Sequence, residues 1–168
     1  MLPMENISAR YAVRPLTAAD MPDLLALARG NPLYYEHMHT RPTLENLTRD
    51  LTALPPRKTL DDKYFLGYYQ GGRLTAALDL ITGYPDRSTA FIGWFILDPS
   101  VQGQGEGTAL ISELLAFLQD RGFSSVRLGR VKGNPQSKRF WEKNGFAPTG
   151  VETDGGGYTI VVMRRELA

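Results

Sequence analysis

The spacing of apolar positions changes period several times along the chain, and each change marks an element. Tyr11–Leu16 reads as a short first strand. Thr17-Ala18-Ala19-Asp20 has the spacing of a capping box and predicts a helix with Leu24, Leu25, Leu27 and Ala28 on its apolar side and Gly30 at its end. The stretch 31–60 is helical in patches, with Leu44, Leu47, Leu51 and Leu54 at helix spacing until Pro55-Pro56 stops them. Tyr64–Tyr69 and Leu74–Ile81 flank Gln70-Gly71-Gly72-Arg73 as a hairpin, and Thr89–Leu97 adds a third strand. A helix of about 15 residues follows from Thr108, with Leu110, Ile111, Leu114, Leu115 and Leu118 on one face, Gly122 capping it and Phe123 folding back. Ser125–Val131 is a strand. Asn134-Pro135 starts a helix that Asn144-Gly145 ends. Two last strands, near Phe146–Val151 and Tyr158–Arg165, turn around Gly155-Gly156-Gly157.

The resulting order is β-α-α-β-β-β-α-β-α-β-β. Hairpins in the first half require antiparallel pairing, whereas strand–helix–strand across 89–131 requires one parallel pair with a crossover helix. The expected fold is therefore α/β in composition: a mixed, mostly antiparallel sheet flanked by helices, in a single domain over residues 1–168.

Composition narrows the chemistry. Hydrophobic residues make up 42% and charged residues 22%, enough for one core. The net charge of +1, with no basic stripe, argues against nucleic acid as partner. The absence of cysteine removes disulfides, thiolate metal sites and a thiol nucleophile, and no metal is expected. No apolar run resembles a signal or a membrane span, so a cytoplasmic location without membrane attachment is expected.

The stretch VQGQGEGTALISELL, residues 101–115, crowds Gly103, Gly105 and Gly107 into five positions ahead of a helix. Glycine costs roughly 0.5–1 kcal/mol relative to alanine inside regular structure. The first amides of a helix lack internal partners and sit at its positive end, and glycines let a bulky anion approach them. Three cradles use this device. The dinucleotide fingerprint needs G-x-G-x-x-G and an acidic residue ending the next strand; here the spacing is G-x-G-x-G, and Leu128-Gly129-Arg130 ends the strand. A P-loop needs a lysine that Gly107-Thr108 lacks. The third pattern, Q/R-x-x-G-x-G/A, is met by Gln102, Gly105 and Gly107.

With that loop and a second block, GNPQSKRFWEKNGF at 133–146, the sequence resembles the GNAT superfamily of acyl-CoA-dependent N-acetyltransferases. The blocks are separated by one helix and one strand, as in that family. The resemblance implies acetyl-CoA as co-substrate, held by Phe95, Ile96, Leu97, Gln102, Gly103, Gln104, Gly105, Gly107, Thr108 and Asn134, with the pantetheine arm lying beside the strand 89–97 like an added strand. It also implies an oxyanion donor among the backbone amides near Ile96 or Leu97. Simpler roles exist beside these. Asn134 before Pro135 is a good N-cap, Gly145 a helix-ending residue, and Phe140 and Phe146 core residues.

The family's proton-transfer groups are missing. The usual Tyr of the downstream helix is Trp141, and from Ala90 to Leu97 no residue ionises. A base is needed, because an alkyl amine of pKa about 10.4 is only about 0.04% deprotonated at pH 7. Glu36, His37, His39, Asp79 and Tyr158 are candidates, each with a structural reading beside the catalytic one, and no catalytic residue is assigned. Tyr34, Tyr35, His37, Asp79, Trp94 and Tyr158 are candidates to frame the acceptor. Transfer of acetyl to a primary amine of a small molecule or peptide is the leading function. A non-catalytic acyl-CoA-binding module and a nucleotide-binding fold are the alternatives. The identity of the amine and a homodimeric state are left open.

Overall fold

The computed structural model describes residues 1–167. Seven strands form one sheet: β1 (Ala12–Pro15), β2 (Lys63–Gln70), β3 (Arg73–Thr82), β4 (Thr89–Leu97), β5 (Ser125–Val131), β6 (Ala147–Asp154) and β7 (Thr159–Glu166), in the order β1-β2-β3-β4-β5-β7-β6. Only the β4–β5 pair is parallel. Three helices, α1 (Met21–Arg29), α2 (Pro32–Glu36) and α3 (Leu44–Asp50), separate β1 from β2, where the sequence pattern predicted two. The extra one is the five-residue α2, which starts where Pro32 presets the first helical φ. The leucine repeat that reaches Leu54 overruns α3, which stops at Asp50 ahead of Pro55-Pro56. The helices α4 (Glu106–Asp120) and α5 (Pro135–Lys143) follow β4 and β5. At the end of α4, Gly122 takes φ +90° and the Phe123 amide returns to the Leu118 carbonyl at 3.1 Å.

The sheet divides the apolar residues into two clusters. On one face Leu110, Ile111, Leu114 and Leu118 of α4 bury against Leu66, Leu78, Leu80, Ile92, Leu128 and Met163. On the other, Leu24, Leu27, Ala28 and Leu47 cover Phe65, Leu74, Ala77 and Ile96.

One irregularity in β4 sets up the site. Ala90 and Ile92 face the α4 side, and strict alternation would send Trp94 and Ile96 there too. Instead Asp79 pairs with Trp94 and Leu80 with Ile92, leaving Gly93 as an extra residue. That bulge reverses the phase. Beyond it Phe95 and Leu97 face α4, while Trp94 and Ile96 join the α1–α3 cluster. The parallel pairing of β4 with β5 runs from Thr89–Ser125 to Ile92–Leu128 and ends at the same point. Because β5 stays paired to β7 as far as Val131, β4 leaves its neighbour from Gly93 onward and a wedge opens between them.

On the opposite edge, Asp20 joins β1 to α1. It receives the Thr17 amide at 2.8 Å and both Arg14 guanidinium nitrogens at 2.9 and 3.0 Å. The Arg14 bonds first, and the Thr17 amide after them, hold its carboxyl down at about 2. A depressed carboxylate stabilises the fold fully above its unfolded value near 3.9, and that contribution fades as pH falls toward the folded value. Asp20→Asn therefore flattens the pH dependence of thermal stability between about 4 and 2. At neutral pH, Asp20→Ala costs on the order of 1 kcal/mol, about 2–4 °C in Tm, measured by calorimetry.

Candidate functional site

A cavity of about 500 Å³ fills the wide mouth of the wedge. Phe95, Ile96 and Leu97 line its β4 side, the loop 102–108 closes one end, and Asn134, Ser137, Phe140 and Trp141 of the α5 segment form the opposite wall. A second space of about 50 Å³ continues between the separating strands, with Ile92, Gly93 and Trp94 facing Leu128, Gly129, Arg130 and Val131. Tyr34, Phe95, Asn134, Ser137 and Trp141 border both spaces, so they stand where the wide cavity meets the narrow slot.

The three loop glycines have two different reasons to be there. Gly103 and Gly105 take φ +74° and +80°, and a Cβ at either would meet nothing. Gly105 is the N-cap of α4 and, lacking a side chain, leaves the helix start uncapped. Among the described residues, no protein group accepts a hydrogen bond from the amides of 103–108. Gly107 has an ordinary φ, but a Cβ there would sit 2.9 Å from the Phe140 ring. Its role is close approach: it lets α4 pack on α5, and Phe140 in turn stacks on Phe95 at 6.1 Å.

Gln102 ties the loop to the rest of the wall. Its side-chain nitrogen donates to the Leu97 carbonyl and to Asn31 Oδ1, both at 2.7 Å. Asn31 Nδ2 donates to the same Leu97 carbonyl at 3.1 Å and to that of Leu27 at 3.1 Å. The Leu97 carbonyl thus has two protein partners. Gln104 does not border the cavity; its side-chain Nε2 donates back to the Ser100 carbonyl at 3.1 Å. The other nine expected contact residues, Phe95, Ile96, Leu97, Gln102, Gly103, Gly105, Gly107, Thr108 and Asn134, all border it.

Asn134 has two jobs available at once. Its Oδ1 caps α5 by accepting from the amides of Gln136 (3.1 Å) and Ser137 (3.2 Å). Its Nδ2 has no protein partner among the described residues, and the residue borders both spaces. Trp141 is likewise core and wall. It is 9% exposed and packs edge-on against Phe140 at 4.8 Å and Phe146 at 5.3 Å.

Residues missed from sequence form the α5 face made by Gln136, Ser137, Arg139 and Lys143, while Asn31, the first residue of the segment 31–39 expected to frame the acceptor, borders the cavity. Helical spacing from Pro135 places 136, 139, 140 and 143 on one side, a signal available once Asn134 is taken as a wall residue. Arg139 and Lys143 give that wall two cations.

On the other face of the sheet, Trp94 stacks on Phe65 at 6.1 Å. Burial, then the neighbouring Tyr35, Tyr158 and Asp50, push the Tyr34 hydroxyl up. His37 borders neither space, and Glu36 and His39 are exposed. Asp79 borders neither space itself, but its carboxylate lies against Gly93, which borders the slot. Lys63 Nζ, whose side chain is 3% exposed, stands 3.1 Å from Asp79 and donates also to the Ala53 carbonyl at 2.7 Å. Among the described residues no cluster of His, Asp or Glu could hold a metal, and no helix is long and apolar enough to cross a membrane.

The same fold occurs in solved structures. An acetyltransferase from Thermus thermophilus superposes with TM-score 0.74 at 25% identity, over 92% of this chain and 95% of that one. The PaiA N-acetyltransferase of Thermoplasma acidophilum, solved with coenzyme A, does so with TM-score 0.65 at 20% identity, over 92% and 97%. By sequence, the mycothiol acetyltransferase of Beutenbergia cavernae is 35% identical over 72 residues, 43% of this chain and 24% of that protein. A Bacillus subtilis relative is 31% identical over 77 residues, again 43% of this chain, and the chain spans less than half the length of either relative. The profile of the acetyltransferase (GNAT) family matches residues 24–146, which takes in every wall of the wedge, and the chain belongs to that family.

Proposed function

We propose that this protein transfers the acetyl group of acetyl-CoA to a primary amine on a small molecule or a peptide, by direct attack. The observation that carries the reading is the wedge itself: uncapped α4 amides at one end, an unpaired strand edge along its length, and a slot at the far end where β4 and β5 part. Acetyl-CoA supplies the thioester carbon that the amine attacks and leaves as coenzyme A thiol. The chain's own groups suit such a ligand. Amides 103–108 are donors for a pyrophosphate at a helix N-terminus. Arg139 and Lys143 add positive charge on the facing wall, and Asn134 Nδ2 is a donor for an amide carbonyl of the arm. Phe95, Phe140 and Trp141 exclude water from the junction.

Trp141 favours a second reading, an acyl-CoA-binding module without turnover, because an indole is no acid at working pH. Energetics favour the enzyme. General acid catalysis is worth about 10²–10⁴-fold, roughly 3–6 kcal/mol. Holding two reactants in place is worth up to about 7–11 kcal/mol, and a thiolate with pKa near 8.5 departs without prior protonation.

The deciding measurement is coenzyme A thiol release across a panel of amines from pH 6 to 10. Amine-dependent release supports transfer. Acetyl-CoA binding by calorimetry with no release from any amine would leave the binding module. Two variants test the walls. Gly105→Val forces a β-branched residue to φ +80° and abolishes coenzyme A binding through the loop, while unfolding remains cooperative. Asn134→Asp keeps the capping oxygen and removes the donor. It leaves Tm within about 2 °C but weakens coenzyme A by roughly 2–10-fold, the worth of one hydrogen bond.

A further inference from the structure

An amine can attack only after losing a proton, and β4, the strand that lines the slot, carries no ionisable side chain. A carboxylate from the next strand, that of Asp79, lies against Gly93 of β4. Phe65, Asp79 and Trp94 lie side by side across β2, β3 and β4, all on the α1–α3 face, because the bulge turns Trp94 over to that side. The Phe65 and Trp94 rings stack at 6.1 Å with 24° between their planes, leaning toward each other across the strand that holds Asp79. These rings restrict water around the carboxylate, whose side chain is 16% exposed. On β4 the carboxylate also lies against Gly93.

Gly93 is exposed and borders the slot. Its φ lies outside the left-handed region, so its backbone conformation does not demand glycine. Space does: a Cβ at 93 would lie 3.0 Å from Asp79 Oδ2 and 3.3 Å from its Cγ. With glycine there, the room a side chain would fill on the slot-lining strand is bordered by a carboxylate oxygen from β3.

We infer that Asp79 is the general base of this enzyme, taking a proton from the acceptor amine across Gly93, directly or through one water. The inference rests on the acetyltransferase reading above. The surroundings suit the role. Burial pushes the Asp79 carboxyl up, the nearby charge of Asp50 on α3 adds to this, and Lys63 on β2 opposes it. Lys63 Nζ lies 3.1 Å from both carboxylate oxygens but donates its hydrogen bond to Oδ2, so Oδ1 is buried without one. Lys63 favours the ionised form that a base requires, while burial makes the carboxyl more basic than an exposed one. In the step, the ammonium gives one proton to Asp79 and its freed lone pair forms the N–C bond. The C–S bond then breaks with its electron pair going to sulfur. The nitrogen sheds its second proton to water, and the thiolate takes one from water.

Asp79→Asn and Gly93→Ala test this together. The first removes the base; the second keeps Asp79 and Lys63 and puts a methyl between the carboxylate and the slot. Both are expected to bind coenzyme A like the parent by calorimetry and to lose kcat/KM for amine by about 10²–10⁴-fold at pH 7. The Asp79→Asn deficit should shrink as pH approaches the amine's pKa near 10.4, where the amine needs no base. In the unmodified protein, carbon-13 NMR of aspartate carboxyls should show Asp79 titrating above the exposed aspartates. A folded Asp79→Asn or Gly93→Ala variant within threefold of the parent at pH 7, or a deficit equal at pH 7 and 10, overturns the assignment, as does an ordinary Asp79 titration. An unmodified protein that releases no thiol from any amine would instead overturn the function, while the NMR titration still reads the carboxyl.

Discussion

The structure depends on where β4 stops pairing with β5. Four residues of parallel ladder hold the two halves of the sheet together, and the ladder ends at the residue where Gly93 inserts into β4. A bulge both bends its strand and reverses which side chains face which way. Here the bend gives the wedge its opening, and the reversal hands Phe95 and Leu97 to the cavity and Trp94 to the opposite face. One extra residue therefore separates the side chains that line the cavity beside α4 from those that join the α1–α3 cluster. Were the ladder continued to Val131, strand backbone would fill both spaces.

Around that opening the residues are economical, in that packing and the lining of the cavity fall to the same residues. Asn134 caps α5 with its oxygen and keeps its nitrogen for the cavity. Gly107 gives the first turn of α4 a bare amide and also admits the Phe140 ring. Trp141 closes an aromatic cluster and forms the junction between cavity and slot. Substitutions at such positions change stability and binding together, so only variants that remove one role at a time can separate them.

Much of this was legible in the sequence for a definite reason. Long-period signals survive in a single chain: the α4 leucine face, the hairpin around Gly71-Gly72, the Asn134-Pro135 start and the Gly145 stop each reflect one local rule and reappear at their expected places. The spacing of the loop glycines suggests a cradle, while Gly107 answers a packing demand from residue 140 that local spacing cannot show. The short helix α2 was not separated from its surroundings, since five residues carry too little periodicity to stand out. The bulge left no trace in β4, where a glycine among apolar residues reads as ordinary strand. Asp79 was legible as one of several candidate bases, but not its place against Gly93, fourteen positions on in sequence and adjacent in space.

The shared carbonyl of Leu97 has a consequence for how the two sides of the wedge communicate. Gln102 reaches it from the glycine loop and Asn31 reaches it from the turn that leads into Tyr34, and the two side chains also bond each other. This is a pin through two separate parts of the wall. Under the proposed function it joins the loop that would hold acyl-CoA to the start of the segment that would frame the acceptor, so a ligand that moved one would move the other. Coupling of this kind is reciprocal. An acceptor that held the pin would strengthen the hold on the acyl carrier by the same factor, with no contact between the two molecules required.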